Sequence, residues 1–205
     1  MGYTKMNLEK QSDKAEKKGG FLCSRIFIFL ILPILALLGI VAIAGGFTVA
    51  LESTNSMEFC ISCHTMNQNY EEYKKTIHYS NKSGVRAICS DCHVPKKSWL
   101  HKMERKIIAA KDIWAEITGV IDTPEKFEAR RLIMANAEWA RMKASDSEGC
   151  RNCHSFESMD IEAQDKMAGR KHSQASMKET GKTCIDCHKG IAHKLPKTGD
   201  DAGSE

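Results

Sequence analysis

The polarity of the chain divides it before any motif is considered. From Ile26 to Leu51 no residue is charged, and Ile26 to Ala44 is almost wholly apolar, matching the roughly 20 residues a helix needs to cross a bilayer core. Pro33 is tolerated within such a helix. Ala42-Ile43-Ala44 before Gly45 resembles a signal-peptide cleavage site. Signal h-regions run only about 7–15 residues, whereas this one continues through Phe47, Val49 and Leu51. Residues 26–51 are therefore read as a retained transmembrane anchor.

Beyond the anchor the pattern changes to helical periodicity. Trp99, Leu100, Met103, Ile107, Ile108, Ile113 and Ile117 recur at three- and four-residue steps against Lys102, Arg105, Lys106, Lys111 and Glu116, which predicts one helix from Trp99 to Ile121. Gly119 lies near its end. Asp122 or Thr123 then caps a second helix, with Pro124 at its first position, running to about Lys143. No segment alternates at period two. The expected fold is mostly α: a single N-terminal transmembrane helix, then a small domain of short helices and loops. The boundaries predicted are an N-terminal segment 1–25, the anchor 26–51, a domain over 52–196 and a disordered tail 197–205.

At 205 residues the chain accommodates one domain plus the anchor. A net charge of +4, with acids interspersed, gives no argument for nucleic acid. Residues 1–25 carry Lys5, Lys10, Lys14, Lys17, Lys18 and Arg25, so this end is expected in the cytoplasm of a bacterial inner-membrane protein and everything after Leu51 in the periplasm. Cys23 lies on the cytoplasmic side and reads as a free thiol.

The chemistry lies in a repeated pentapeptide. Cys-X-X-Cys-His occurs as Cys60–His64, Cys89–His93, Cys150–His154 and Cys184–His188, using eight of nine cysteines and half of eight histidines. Each copy supplies what a c-type haem requires: Cys60 and Cys63, Cys89 and Cys92, Cys150 and Cys153, or Cys184 and Cys187 for two thioethers, and His64, His93, His154 or His188 for the iron. Zinc sites do not require a histidine after every second cysteine. The expected cofactors are four covalently attached haem c groups, and periplasmic attachment agrees with the charge argument. The copies fall into two dihaem units, 60–93 and 150–188, joined by the helices over 99–143. In each unit a histidine precedes the second motif histidine by a similar interval, 15 residues for His78 to His93 and 16 for His172 to His188, which reads as a duplication.

Four haems leave four axial positions. His78, His101, His172 and His193 form the natural pool, since neutral imidazole is the usual second ligand of electron-transfer haems. His101 lies among lysines on the long helix and reads equally as a surface residue. His193 follows His188 by five residues and is expected to serve another haem than its own. Met66, next to the first motif, offers a thioether as iron ligand; a buried apolar methionine is the other reading.

Four stretches carry a family resemblance: Cys60-Ile-Ser-Cys63-His64-Thr65-Met66, Gly84 to Pro95, Arg105 to Asp112, and Cys184 to His193. From the anchor to Pro196 the chain resembles the NapC/NirT family of membrane-anchored tetrahaem cytochromes, including its NrfH- and CymA-like members. The resemblance implies a quinol dehydrogenase that takes electrons from menaquinol or ubiquinol in the membrane pool and passes them to a periplasmic reductase of nitrate, nitrite or N-oxide type, or to a soluble cytochrome. It places the first haem's methionine on Met66, with His64 as the alternative, and the quinol-site lysine and aspartate on Lys106 and Asp112. It likens His78 and His193 to the distal ligands of the fourth and third haems. Several relatives carry a histidine three residues after His93, where this chain has Lys96; the second haem's sixth ligand is then His172, Lys96 or a partner's residue.

A carboxylate near the first haem suits quinol oxidation, which releases protons, and a nearby cation keeps it ionised. Lys106 and Asp112, six residues apart, do not share a helix face, so they converge only if the helix is irregular or the quinone head bridges them. Lys166, Arg170, Lys171, Lys178 and Lys182 make the second motif pair the expected exit. Two other readings stand: a multihaem enzyme reducing a small nitrogen or sulfur oxide itself, and an anchoring electron-transfer subunit without a quinol site.

Overall fold

The computed structural model describes residues 27–198, and the readings of 1–25, of Cys23 and of 199–205 lie outside them. Among the described residues every regular element is helical, in agreement with the expected class. The chain forms two compact units that meet at Ser53.

The first unit is a single apolar helix. A π-helical turn over Phe27–Ile31 leads into α1, Leu32–Ser53, and the run Phe27–Ser53 is the one described helix long and apolar enough to cross a membrane. Pro33 follows the π-helical turn directly, where the helical ladder already changes its spacing. The Thr48 hydroxyl donates to the Ala44 carbonyl at 2.8 Å, so it presents no unmet donor along the helix. Leu30, Leu37, Ile40 and Ile43 are all exposed, as suits a helix whose solvent is lipid.

In the second unit the helices are α2 (Met57–Cys60), α3 (His64–Tyr73), α4 (Cys89–His93), α5 (Trp99–Ile117), α6 (Pro124–Ala144), α7 (Glu148–Arg151), α8 (Lys166–His172), α9 (Gln174–Thr180) and α10 (Cys184–Cys187). The long helix stops at Ile117, four residues short of expectation. Gly119 takes φ +72° and the Val120 N–H donates back to the Ala115 carbonyl at 2.8 Å, a Schellman closure that needs a residue able to turn left-handed. Of the two candidate caps it is Thr123 that starts α6, its hydroxyl accepting from the Lys126 N–H at 3.3 Å with Pro124 next in line.

The polypeptide buries few apolar side chains here. Tyr73, Ile121, Phe127 and Ile185 are buried, alongside the polar Thr65, Ser90, Arg131, Ser147 and Thr183. The helices pack mainly through the motifs: α4 on α2 and α7, α10 on α6, and α3 on α6. Two of the motif helices are built alike. Asp91, inside the second motif, accepts from the Ile88 N–H at 2.7 Å, and Asp186, inside the fourth, accepts from the Thr183 N–H at 2.8 Å. Each carboxylate satisfies a backbone donor at its own helix start. The shared device is what a duplicated unit would retain.

Candidate haem sites

The attachment segments form a continuous series. The Cys89 thiol donates to Met57 Sδ at 3.3 Å, joining the second motif to α2, the helix that carries Cys60. The second and third are joined through backbone. Glu148 accepts from the Lys96 and Lys97 N–H groups at 3.0 Å each, and a Cβ on Gly149 would stand 2.7 Å from the Cys92 carbonyl oxygen. Glycine is what allows that approach. The third motif is set by Asp146 and Ser147, both at positive φ. Ser147 is almost wholly buried and its hydroxyl accepts from the Ile185 N–H at 3.2 Å, tying the third motif to the fourth.

Three of the four motif histidines face a second imidazole. His172 and His188 are stacked with ring centroids 5.7 Å apart and Nε2 atoms 3.4 Å apart. His78 faces His154 at 6.2 Å and His193 faces His93 at 6.1 Å. Two imidazoles bound on opposite sides of one metal, each by a bond of roughly 2 Å, stand with ring centroids about 6 Å apart. The resemblance likened His78 and His193 to ligands of the fourth and third haems; in this structure His78 stands opposite the third motif histidine and His193 opposite the second. Neither His172 nor Lys96 faces His93. His172 stands with its own unit's His188, and the Lys96 ammonium pairs with Asp91 at 2.6 Å. The repeat interval that likened His78 to His172 does not carry over to their partners, because His78 reaches across to the other unit.

His64 has a different surrounding. Its Nε2 lies 2.8 Å from the Asp122 carbonyl oxygen and its Nδ1 2.9 Å from the Glu116 carboxylate. Glu116 also accepts from the buried Thr65 hydroxyl. Among the described residues no second imidazole faces His64. Met66 lies in the first turn of α3, half-buried. His101 is exposed at the start of α5.

Several groups hold these histidines in place, and the sequence singled out none of them. Glu138 of α6 accepts from His93 Nδ1 at 2.7 Å and is gripped by Arg141, with Arg105 at 3.7 Å. Burial pushes the Glu138 carboxyl up, but Arg141 and His93 outweigh it and hold it well below the ordinary range. The His172 Nδ1–H donates to the Gln164 side-chain oxygen at 2.5 Å. Burial, with His154 adding to it, lowers His78, and burial, with His93 adding to it, lowers His193, so both imidazoles are neutral, the form that binds metal. The buried Nδ1 atoms of both lack a protein partner. The buried Tyr73 hydroxyl sits between the carbonyls of His78 and Ala87 and fixes that loop.

Lys106 and Asp112 do not converge. Helix α5 is continuous from Trp99 to Ile117, so six residues turn the two side chains about 120° apart. The Lys106 ammonium donates to Thr54 Oγ1 and Asn55 Oδ1 at 2.5 Å each. Asp112 shares its face with Arg105. The protein around it raises its carboxyl, Arg105 and Lys111 oppose the rise and Glu138 adds to it.

Eight paired thiols, three facing imidazole pairs and a thin apolar core fit four covalently bound porphyrins, each sharing its bulk with the fold. Comparison with known proteins points the same way. The chain is 60% identical over 154 residues to the "Denitrification system component NirT" of Stutzerimonas stutzeri, covering 75% of each chain. It is 54% identical over 166 residues to the "Cytochrome c-type protein NapC" of Escherichia coli strain K12, covering 80% of this chain and 82% of that one. A "Putative tetraheme cytochrome-c type" protein of Allochromatium vinosum is 55% identical over 152 residues, 74% of this chain and 81% of its own. No solved structure gives a significant match. The profile of the NapC/NirT cytochrome c family, N-terminal region, matches residues 23–198, and the chain belongs to that family of electron-transfer c-type cytochromes.

Proposed function

We propose that this protein is a quinol dehydrogenase of the bacterial cytoplasmic membrane, with its N-terminus in the cytoplasm and its haem domain in the periplasm, delivering electrons from menaquinol or ubiquinol to a periplasmic reductase. The observation that carries this reading is the inequality of the four motifs. Three motif histidines face a second imidazole, whereas among the described residues His64 faces only the oxygens of Asp122 and Glu116. The exceptional motif is also the one nearest the apolar helix along the chain, since Cys60 follows Ser53 by seven residues.

The thiols of each motif would attach one haem, and the pairs His78–His154, His93–His193 and His172–His188 would ligate three irons. Met66 would supply a thioether to the first, which is consistent with both ring nitrogens of His64 being directed at oxygen. When bound, the haems supply one-electron carriage between a two-electron donor and the acceptor. Lys106, held by Thr54 and Asn55, attracts the developing negative charge of a deprotonating quinol hydroxyl. Asp112 takes up a released proton. With the two side chains about 120° apart around α5, the quinone head bridges them rather than sitting in a shared pocket. The relatives' names place NirT in denitrification, and a periplasmic nitrogen-oxide reductase is the acceptor class we favour for this chain, reached over the basic face of Lys166, Arg170 and Lys171.

A low-temperature EPR spectrum of the oxidised protein tests the inequality. Three low-spin haems with two imidazoles and a fourth of different ligation are expected, the fourth alone changing in Met66→Ala. Four equivalent low-spin bis-imidazole signals would remove the first site.

A further inference from the structure

Helix α5 is amphipathic the wrong way round for a helix on the surface of a water-soluble domain. Two of its charged side chains point inward: Arg105 and Glu116 are each only 16% exposed, engaged with His93, Glu138, His64 and Thr65. Its apolar face points outward: Leu100 and Ile117 are 71% exposed, Ile107 67%, Trp114 66% and Trp99 58%. At 3.6 residues per turn, Trp99, Leu100, Met103, Ile107, Ile113, Trp114 and Ile117 fall in one stripe about 140° wide. No residue of this 19-residue helix is fully buried. Large contiguous apolar patches on a protein surface mark a contact with something else.

We propose that this face of α5 lies in the headgroup and upper acyl region of the membrane that α1 crosses, as a second, in-plane attachment of the haem domain. Two observations select lipid over a protein partner. The Lys106 ammonium bonds Thr54 and Asn55, the first residues after α1, and two residues of chain span at most about 7 Å. Lys106 thereby holds α5 beside the residues that directly follow the apolar helix in the chain. The composition of the stripe is also that of an interfacial helix: tryptophans near both of its ends, aliphatics between, and Lys102 and Lys111 along its borders, positioned for anionic headgroups. The proposal rests on α1 being a membrane span and is independent of the quinol reading.

Its test uses the full-length haem-loaded protein in vesicles of phosphatidylcholine and phosphatidylglycerol. A diazirine photolabel dissolved in the acyl region and a water-soluble diazirine are applied separately, and labelled residues are mapped by mass spectrometry. Val85 and Met167, 67% and 66% exposed outside α5, are the reference positions. The lipid-dissolved reagent is expected to label Leu100, Ile107, Trp114 and Ile117 several-fold more than the references, with the aqueous reagent showing the reverse order. Aqueous labelling of α5 equal to that of the references would overturn the proposal. So would protection from both reagents, which would show a protein partner or a second copy on this face.

Discussion

Arg131 holds Glu72 through two parallel hydrogen bonds, Nη1 to Oε2 at 3.0 Å and Nη2 to Oε1 at 2.6 Å. The same guanidinium grips Glu128 at 2.8 and 2.7 Å and donates to the Lys194 carbonyl at 3.2 Å, while Glu72 accepts from the Lys194 N–H at 2.8 Å. This buried fork ties α3 and α6 to the residue immediately after His193, and so sets the imidazole that faces His93. Replacing Arg131 with Met leaves Glu72 with its charge half-buried and uncompensated, a change that costs about 3–5 kcal/mol for buried pairs. Denaturant unfolding should show the loss, and the bis-imidazole signature of the second haem should weaken while that of the fourth stays.

Acid should mimic that variant. Arg131 holds the Glu128 carboxyl below its ordinary value, so the stabilisation is complete above the unfolded value near 4.5 and disappears as pH falls through the lower folded value. A pH series of unfolding midpoints should fall on that side in the parent and be flatter in Arg131→Met.

Gly149→Ala tests the join between the second and third motifs. The new methyl would meet the Cys92 carbonyl oxygen at 2.7 Å, with Cys92 Cα at 3.0 Å. Backbone cannot swing aside as a side chain can, and overpacking of this kind costs about 1–3 kcal/mol. Thermal unfolding should register it, with haem content per chain as the companion measurement. Gly181→Ala is not a suitable control, because its φ of +61° strains any side chain; Gly45→Ala, with open space around it, is.

Glu138 is a positioning residue for His93. A carboxylate accepting from the far nitrogen of a ligating imidazole makes it a stronger donor to the iron. Glu138→Gln should raise the midpoint potential of one haem by roughly 60 mV, the one-electron equivalent of a tenfold change in relative affinity. A redox titration in which all four potentials are unchanged would remove Glu138 from this role.

How much of this was legible beforehand divides along physical lines. The apolar helix, the four attachment motifs and the Pro124 helix start were readable because each rests on contiguous residues. The end of α5 at Ile117 was missed because the apolar period continues to Ile121 while Gly119 breaks the backbone. The histidine partners were not readable: intervals of 15 and 16 residues place His78 and His172 alike, yet whether a ring faces its own unit or the other depends on the α4–α7 contact at Gly149. Glu138 and Arg131 gave no local signal, since Glu138 meets His93 and Arg131 meets Glu72 only through tertiary contact.

Asp112 should give the quinol reaction its acid limb. As proton acceptor it works as the carboxylate, and its folded value lies above the ordinary 3.8, raised by burial and Glu138 against Arg105 and Lys111. Quinol-driven haem reduction should therefore decline on acidification at a pH higher than an ordinary aspartate would dictate. Asp112→Asn should slow the step by roughly a hundredfold, at the lower end of what a positioned base contributes, and lose that limb, with the haem absorption spectrum intact.

The central claim is that this chain itself oxidises quinol. The most direct measurement mixes the oxidised full-length protein, in vesicles and without any reductase, with a menaquinol analogue under anaerobic conditions and follows the α-band of the haems. Rapid reduction of the haems, slowed in Lys106→Met, is the result the account predicts. Reduction by dithionite but none by the quinol would contradict it and make the protein an electron-transfer anchor with no quinol site.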